Sequence, residues 1–154
     1  ITPMALREPM GLWVYGCDHC HNVCPRNAPW LARELPVNQK VDGMVDDFRL
    51  NKLLRMDTAY FNGRIWPHMF YMSDKDIWRW KMNVARAMGN SRDSEYLPEL
   101  LEAFRGNDDE RVLGMIAWAI GRIGGLKAKK ILNDFLTGCS GPVRKEIGFA
   151  LDNF

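Results

Sequence analysis

Through the C-terminal half of the chain, apolar residues recur with the period of amphipathic helices. Trp80, Val84 and Ala87-Met88-Gly89 are matched 32 positions on by Val112, Ile116 and Ala119-Ile120-Gly121. The set returns 31 positions later as Val143, Ile147 and Ala150-Leu151. Between the copies lie two amphipathic segments, in which Leu100, Leu101 and Phe104 correspond to Ile131, Leu132 and Phe135. Each unit is therefore a pair of helices, one ending in a glycine turn (Gly89, Gly121) and one opened by a cap. A period of 31 to 32 residues built from helix pairs predicts an all-α fold, an α-solenoid.

Polar residues punctuate the pattern. Ser73-Asp74-Lys75-Asp76 reads as a variant capping box, Asp93 or Ser94 as a second helix start, and Asn107 or Asp108 as a third. Gly124-Gly125 separates two helices, and Pro142 stands at the first position of the last one, where a missing N–H costs nothing. Upstream, Phe48, Leu50, Leu53 and Leu54 share one helical face behind an expected cap at Asp46 or Asp47. A short segment, 58–63, follows, and this region is expected to close the far end of the stack. The aromatic and methionine-rich run from Trp66 to Met72 reads as a loop packed over the core or as a docking surface.

Before Asp46 the periodicity is lost. A short helix around Ala5-Leu6-Arg7-Glu8 is expected to end at Pro9 and Gly11, and Leu12 to Tyr15 forms a brief apolar run. Pro25, Pro29 and Pro36 mark irregular chain. These shifts divide the chain into a cysteine-rich segment with a proline-rich linker, 1–43, and a helical domain, 44–154.

Composition adds limits rather than detail. The 154 residues are 47% hydrophobic and 26% charged, as in soluble globular proteins. No apolar run reaches the roughly 18 to 20 residues of a membrane span, and no signal peptide is visible. The chain opens on Ile1 instead of methionine, so a fragment or a processed product is expected. A formal net charge of +2 is too small to argue for nucleic acid by itself. Arg79, Arg86 and Arg122 are candidates for a basic stripe along the solenoid that would contact nucleic acid.

The chemistry lies in Cys17, Cys20 and Cys24, spaced C-x2-C-x3-C-P. Packing a helix or strand does not require that spacing, whereas an iron–sulfur cubane takes thiolates from such a curled loop. The bacterial ferredoxin run has one more cysteine, at the position of Val14 here. In two-cluster ferredoxins the last cysteine of the run serves the other cluster, so Cys17 and Cys20 would hold one and Cys24 a second. Two cubanes need eight thiolates and this chain has four, so it cannot complete them. A zinc site using His19 or His21, a disulfide, and plain buried thiols are the competing readings. Clustered reduced thiols favour the cytoplasm. His68 has no partner at ligand spacing, and Cys139 reads as an ordinary thiol.

The stretch Tyr15-Gly16-Cys17-Asp18-His19-Cys20-His21-Asn22-Val23-Cys24-Pro25-Arg26-Asn27, followed by Ala-Met-Gly-Asn and Trp-Ala-Ile-Gly-Arg helices, resembles the C-terminal part of the epoxyqueuosine reductase family. Arg26 stands where that family's pattern has tryptophan. The resemblance implies HEAT-like repeats behind the second half of a two-cluster ferredoxin module, with Cys17, Cys20 and Cys24 as 4Fe-4S ligands. It implies a parent oxidoreductase with cobalamin, an upstream ferredoxin and catalytic domain as partner, and tRNA as substrate. No residue of this chain qualifies as a catalytic acid, base or nucleophile, and alone it is expected to be inactive. The alternative is a protein-interaction HEAT-repeat module whose cysteine loop binds zinc or is vestigial.

Overall fold

A computed structural model of the chain describes residues 1–154. Eleven α-helices follow one another, and no strand occurs. The first four are single turns: α1 (Met4–Arg7), α2 (His19–Asn22), α3 (Ala28–Leu31) and α4 (Gln39–Asp42). Then come α5 (Leu50–Arg55), α6 (Thr58–Tyr60), α7 (Ile77–Ser91), α8 (Leu97–Arg105), α9 (Glu110–Ile123), α10 (Gly125–Leu136) and α11 (Gly141–Asp152).

The long helices α7, α9 and α11 pack side by side as one row. A second row lies behind them, with α5 on α7, α8 on α9, and α10 on both α9 and α11. This is the all-α solenoid of helix pairs that the repeat predicts. Equivalent residues of the second row meet directly, since Phe104 and Phe135 stack with ring centroids 3.8 Å apart.

Gly89 and Gly121 do not form turns. Both lie inside their helices, α7 and α9. A Cβ on Gly89 would come within 2.8 Å of the Ala119 backbone, and one on Gly121 within 2.7 Å of the Ala150 side chain. The alanine of each copy therefore sits against the glycine of the copy before it. These contacts fix the spacing of the row, and a larger residue would force the helices apart.

Caps fall close to their expected places. Ser73 Oγ accepts from the Lys75 N–H, opening a 3₁₀ turn (Asp74–Asp76) that leads into α7. Asp93 Oδ1 accepts from the Glu95 N–H ahead of α8. The cap of α9 is Asp109 rather than Asn107 or Asp108. Its Oδ1 accepts from the Arg111 N–H at 2.9 Å, while Asn107 caps the turn before it. Neither Asp46 nor Asp47 caps α5, because both lie in a 3₁₀ turn (Val45–Phe48) and the cap residue is Arg49.

The end of the stack is closed by α5, α6 and a π-helical turn (Phe61–Ile65) that continues α6 beyond Gly63. Leu53, Leu54, Phe61 and Ile65 are buried there in the same core as Val84, Met88, Ile116 and Ile147. Within the 66–72 run, Met69 and Met72 pack on that core, whereas Trp66, Phe70 and Tyr71 are exposed. No helix is long and apolar enough to cross a membrane.

Candidate metal-ligand loop and its anchor

The run that leads into the cysteine loop is held by one polar face of α7. Asn83, Arg86 and Asn90 are three and then four residues apart, so they point to the same side of the helix. All three side chains donate to backbone carbonyls of the N-terminal segment. Asn83 Nδ2 reaches Val14 O at 2.9 Å, Arg86 Nη2 reaches Trp13 O, and Asn90 Nδ2 reaches both Arg7 O and Gly11 O at 2.8 Å. Gly11 (φ +53°) and Gly16 (φ +75°) supply the left-handed bends on either side of the clamped run Leu12–Tyr15.

Other residues extend this anchor across the whole row. Arg7 is buried and makes a bidentate pair with Glu146 of α11, both bonds 2.7 Å. Its Nε donates to Thr2 O, and its guanidinium lies over the Trp118 ring of α9. Glu8 pairs with Arg122 of α9, and Gly114 of the same helix leaves room for Ile1, whose Cδ1 lies 3.0 Å from where a Cβ would stand. Residues 1–15 thus cover the α7–α9–α11 row.

The thiols follow immediately. Tyr15 stacks on Trp80 of α7, centroids 5.2 Å apart, and Cys17 comes two residues later. Trp13 meets His19 edge-on at 5.6 Å, which ties α2 back to the clamped run. Cys17 and Cys20 are exposed and Cys24 is half-buried; none is in a disulfide. The Cys24 carbonyl accepts from the Asn27 and Ala28 N–H groups, so the chain turns tightly around Pro25 into α3. Asn27 also donates to the His21 carbonyl.

No three His, Cys, Asp or Glu side chains converge on a point where a metal ion would sit. A cubane takes four protein ligands and the loop offers three. The residues of this chain therefore do not fit a complete cluster. Cys139 stands apart, half-buried against the repeat core.

The three arginines singled out for nucleic acid have three different surroundings and form no stripe. Arg86 is a correction to that expectation: it is fully buried, and its guanidinium belongs to the clamp. Burial holds it below the usual arginine range, and its Nε and Nη1 have no hydrogen-bond partner. Arg122 is tied to Glu8. Arg79 alone is exposed, paired through Nε with Asp76 at 3.1 Å and lying over Trp78. Partial desolvation and the neighbouring Tyr71 phenol push the Tyr15 hydroxyl above its ordinary range.

Sequence reasoning passed over Arg7, Asn83, Asn90 and Glu146 as anchor residues. The available signal was polar residues at helical spacing, Asn83, Arg86 and Asn90, in a helix otherwise rich in apolar and small residues.

Residues 72–152 match the family of HEAT repeats. Epoxyqueuosine reductase of Xanthomonas campestris is 30% identical over 122 residues, 79% of this chain and 34% of that protein. That of Bacillus subtilis is 29% identical over 126 residues, 79% of this chain and 31% of that protein. A solved structure of the Bacillus subtilis enzyme superposes with a TM-score of 0.77 at 25% identity, covering 99% of this chain and 40% of the other. A structure of epoxyqueuosine reductase with a tRNA-Tyr stem loop superposes with a TM-score of 0.75 at 25% identity, covering 98% of this chain and 40% of the other. The chain spans about a third of the length of these curated relatives. It is homologous to epoxyqueuosine reductases over about 80% of its own length, and its paired helices, closed by Gly–Ala contacts from one copy to the next, belong to the HEAT-repeat family.

Proposed function

We propose that this chain is the C-terminal region of an epoxyqueuosine reductase-like protein. Residues 1–43 supply thiolates and a linker, and residues 44–154 form the repeat platform that positions them. Cys17, Cys20 and Cys24 each contribute a ligand to 4Fe-4S clusters whose remaining ligands lie elsewhere in the parent protein. Those clusters would serve electron transfer toward a catalytic domain that this chain does not contain. Cobalamin, implied for the parent by the resemblance, has no ligand proposed among these residues. tRNA is proposed as the substrate because a solved relative is described with a tRNA stem loop.

One observation carries this proposal: α7 and α11 commit Asn83, Arg86, Asn90 and Glu146 to holding the chain just ahead of Cys17. Burying an arginine for that purpose is costly, and a vestigial loop would not need it. Residues 1–15 occupy part of the α7–α9–α11 row, surface that a pure interaction module would leave open. Iron and acid-labile sulfide in the longer protein, purified without oxygen, test the proposal. Both elements should be present with sulfur-to-iron charge-transfer absorption; stoichiometric zinc in their place would reject it.

A further inference from the structure

Next to the cysteine loop lies a cleft of about 390 Å³ whose apolar walls include Tyr15, Tyr71 and Trp80, and which Asp76, Arg79 and Asn83 also line. Tyr15 rests one face on Trp80, at an interplanar angle of 15°, and is itself exposed. Tyr71, 6.0 Å from Tyr15, is 62% exposed. A buried ring thus supports exposed ones, and the platform is fixed rather than free to turn.

The polar groups of the cleft are unevenly used. Trp80 is 3% exposed and its indole N–H is closed off from solvent, so it gives the cleft a supporting ring and no hydrogen-bond donor. Asn83 spends its amide N–H on Val14, which leaves Oδ1 as an acceptor. The Asp76 carboxylate is a second acceptor. Arg79 meets Asp76 through Nε only and is 59% exposed, so its terminal nitrogens are available to a phosphate.

A flat ring bearing an amino group, joined through a sugar to a phosphate, matches this set, with Asn83 Oδ1 or Asp76 accepting from the amino group and Arg79 meeting the phosphate. An aromatic peptide side chain would bring neither the amino group nor the phosphate. Unpaired bases in RNA loops are read in this way, by stacking on aromatic rings and hydrogen bonding at their edges. Building on the tRNA substrate proposed above, we propose that this cleft takes one unstacked, amino-bearing nucleobase of single-stranded RNA, with Arg79 on the flanking phosphate.

Fluorescence anisotropy of labelled hexanucleotides with the 154-residue chain at low salt tests this. Oligocytidylate and oligoadenylate should bind, and oligouridylate, which lacks the amino group, should bind roughly tenfold more weakly. Tyr71→Ala should weaken oligocytidylate binding about tenfold with circular dichroism unchanged. Arg79→Gln should lower the salt slope by about one. Equal affinity for the three oligonucleotides, undiminished binding by Tyr71→Ala, or no binding at all overturns the proposal. So does protection of Tyr71 from nitration in the longer protein without RNA, which would show that protein covers the cleft. The assay involves no iron, so its failure would leave the thiolate assignment standing, and a failed iron analysis would leave this site standing.

Discussion

The repeat region and the cysteine segment are held in place by opposite means. From α7 onward the chain orders itself: long helices satisfy their own backbone, and apolar faces and Gly–Ala contacts join each copy to the next. Among the first forty-nine residues only Arg7 is buried, and no helix exceeds four residues. Such short helices are not stable alone. The segment's first fifteen residues take their order from side chains of the repeats, which grip their carbonyls and the one buried arginine. A segment fixed in this way can leave its thiols exposed while their positions stay defined, which a hydrophobic core would not permit.

Several substitutions sharpen or break that contrast. The largest effect is expected from Gly121→Val. Its Cβ would stand 2.7 Å from the Ala150 side chain, and overpacking of this kind should cost about 3 kcal/mol in urea unfolding. A loss under about 1 kcal/mol would mean that the row spacing is adaptable.

Glu146→Ala comes next. It leaves Arg7, 2% exposed, without its carboxylate, a situation that costs up to about 3 kcal/mol. Here the segment has a way out by undocking, so the loss should be somewhat smaller than for Gly121→Val. Limited proteolysis should show faster cleavage within residues 1–15.

Arg86→Met separates the two regions most cleanly. Replacing an incompletely paired buried charge with an apolar residue of similar length should change global stability by no more than about 1 kcal/mol. Alkylation of Cys17 and Cys20 should nevertheless change in rate, because the carbonyl of Trp13 loses its donor. Unchanged alkylation would mean that the clamp does not govern the loop.

Asp109→Ala should cost about 1 kcal/mol, as N-cap losses do. The Arg111 side chain and the Arg111 N–H hold the Asp109 carboxyl below its ordinary value of 3.8. A carboxyl lowered in the folded state contributes stability that is fully present above its unfolded value and is lost as pH falls through the folded one. The wild type should therefore outlast the variant at neutral pH, and the gap should close below about pH 4.

Much of the repeat region was legible because helical period and repeat period agree there. Val84, Ile116 and Ile147 mark equivalent buried positions without any knowledge of neighbours. Gly89 and Gly121 were misjudged as turns because glycine near a helix end is also a C-cap signal. Their function depends on Ala119 and Ala150, about thirty residues away, and only tertiary packing discloses it. The start of α9 was misplaced by one or two residues because Asn107, Asp108 and Asp109 are all capable caps. The cysteine spacing was visible; of its anchor only the polar spacing of Asn83, Arg86 and Asn90 was, since the backbone carbonyls they grip leave no mark on the sequence that presents them. For the same reason Arg86 passed for a surface cation.

The central claim is that the loop following the run clamped on α7 delivers three metal ligands to clusters completed elsewhere in the parent protein. Iron per chain, measured on the longer protein after anaerobic purification of single Cys→Ser variants, tests it most directly. Cys17→Ser, Cys20→Ser and Cys24→Ser should each lower the iron content, and Cys139→Ser should leave it at the wild-type level. Full iron in all four variants would contradict the claim.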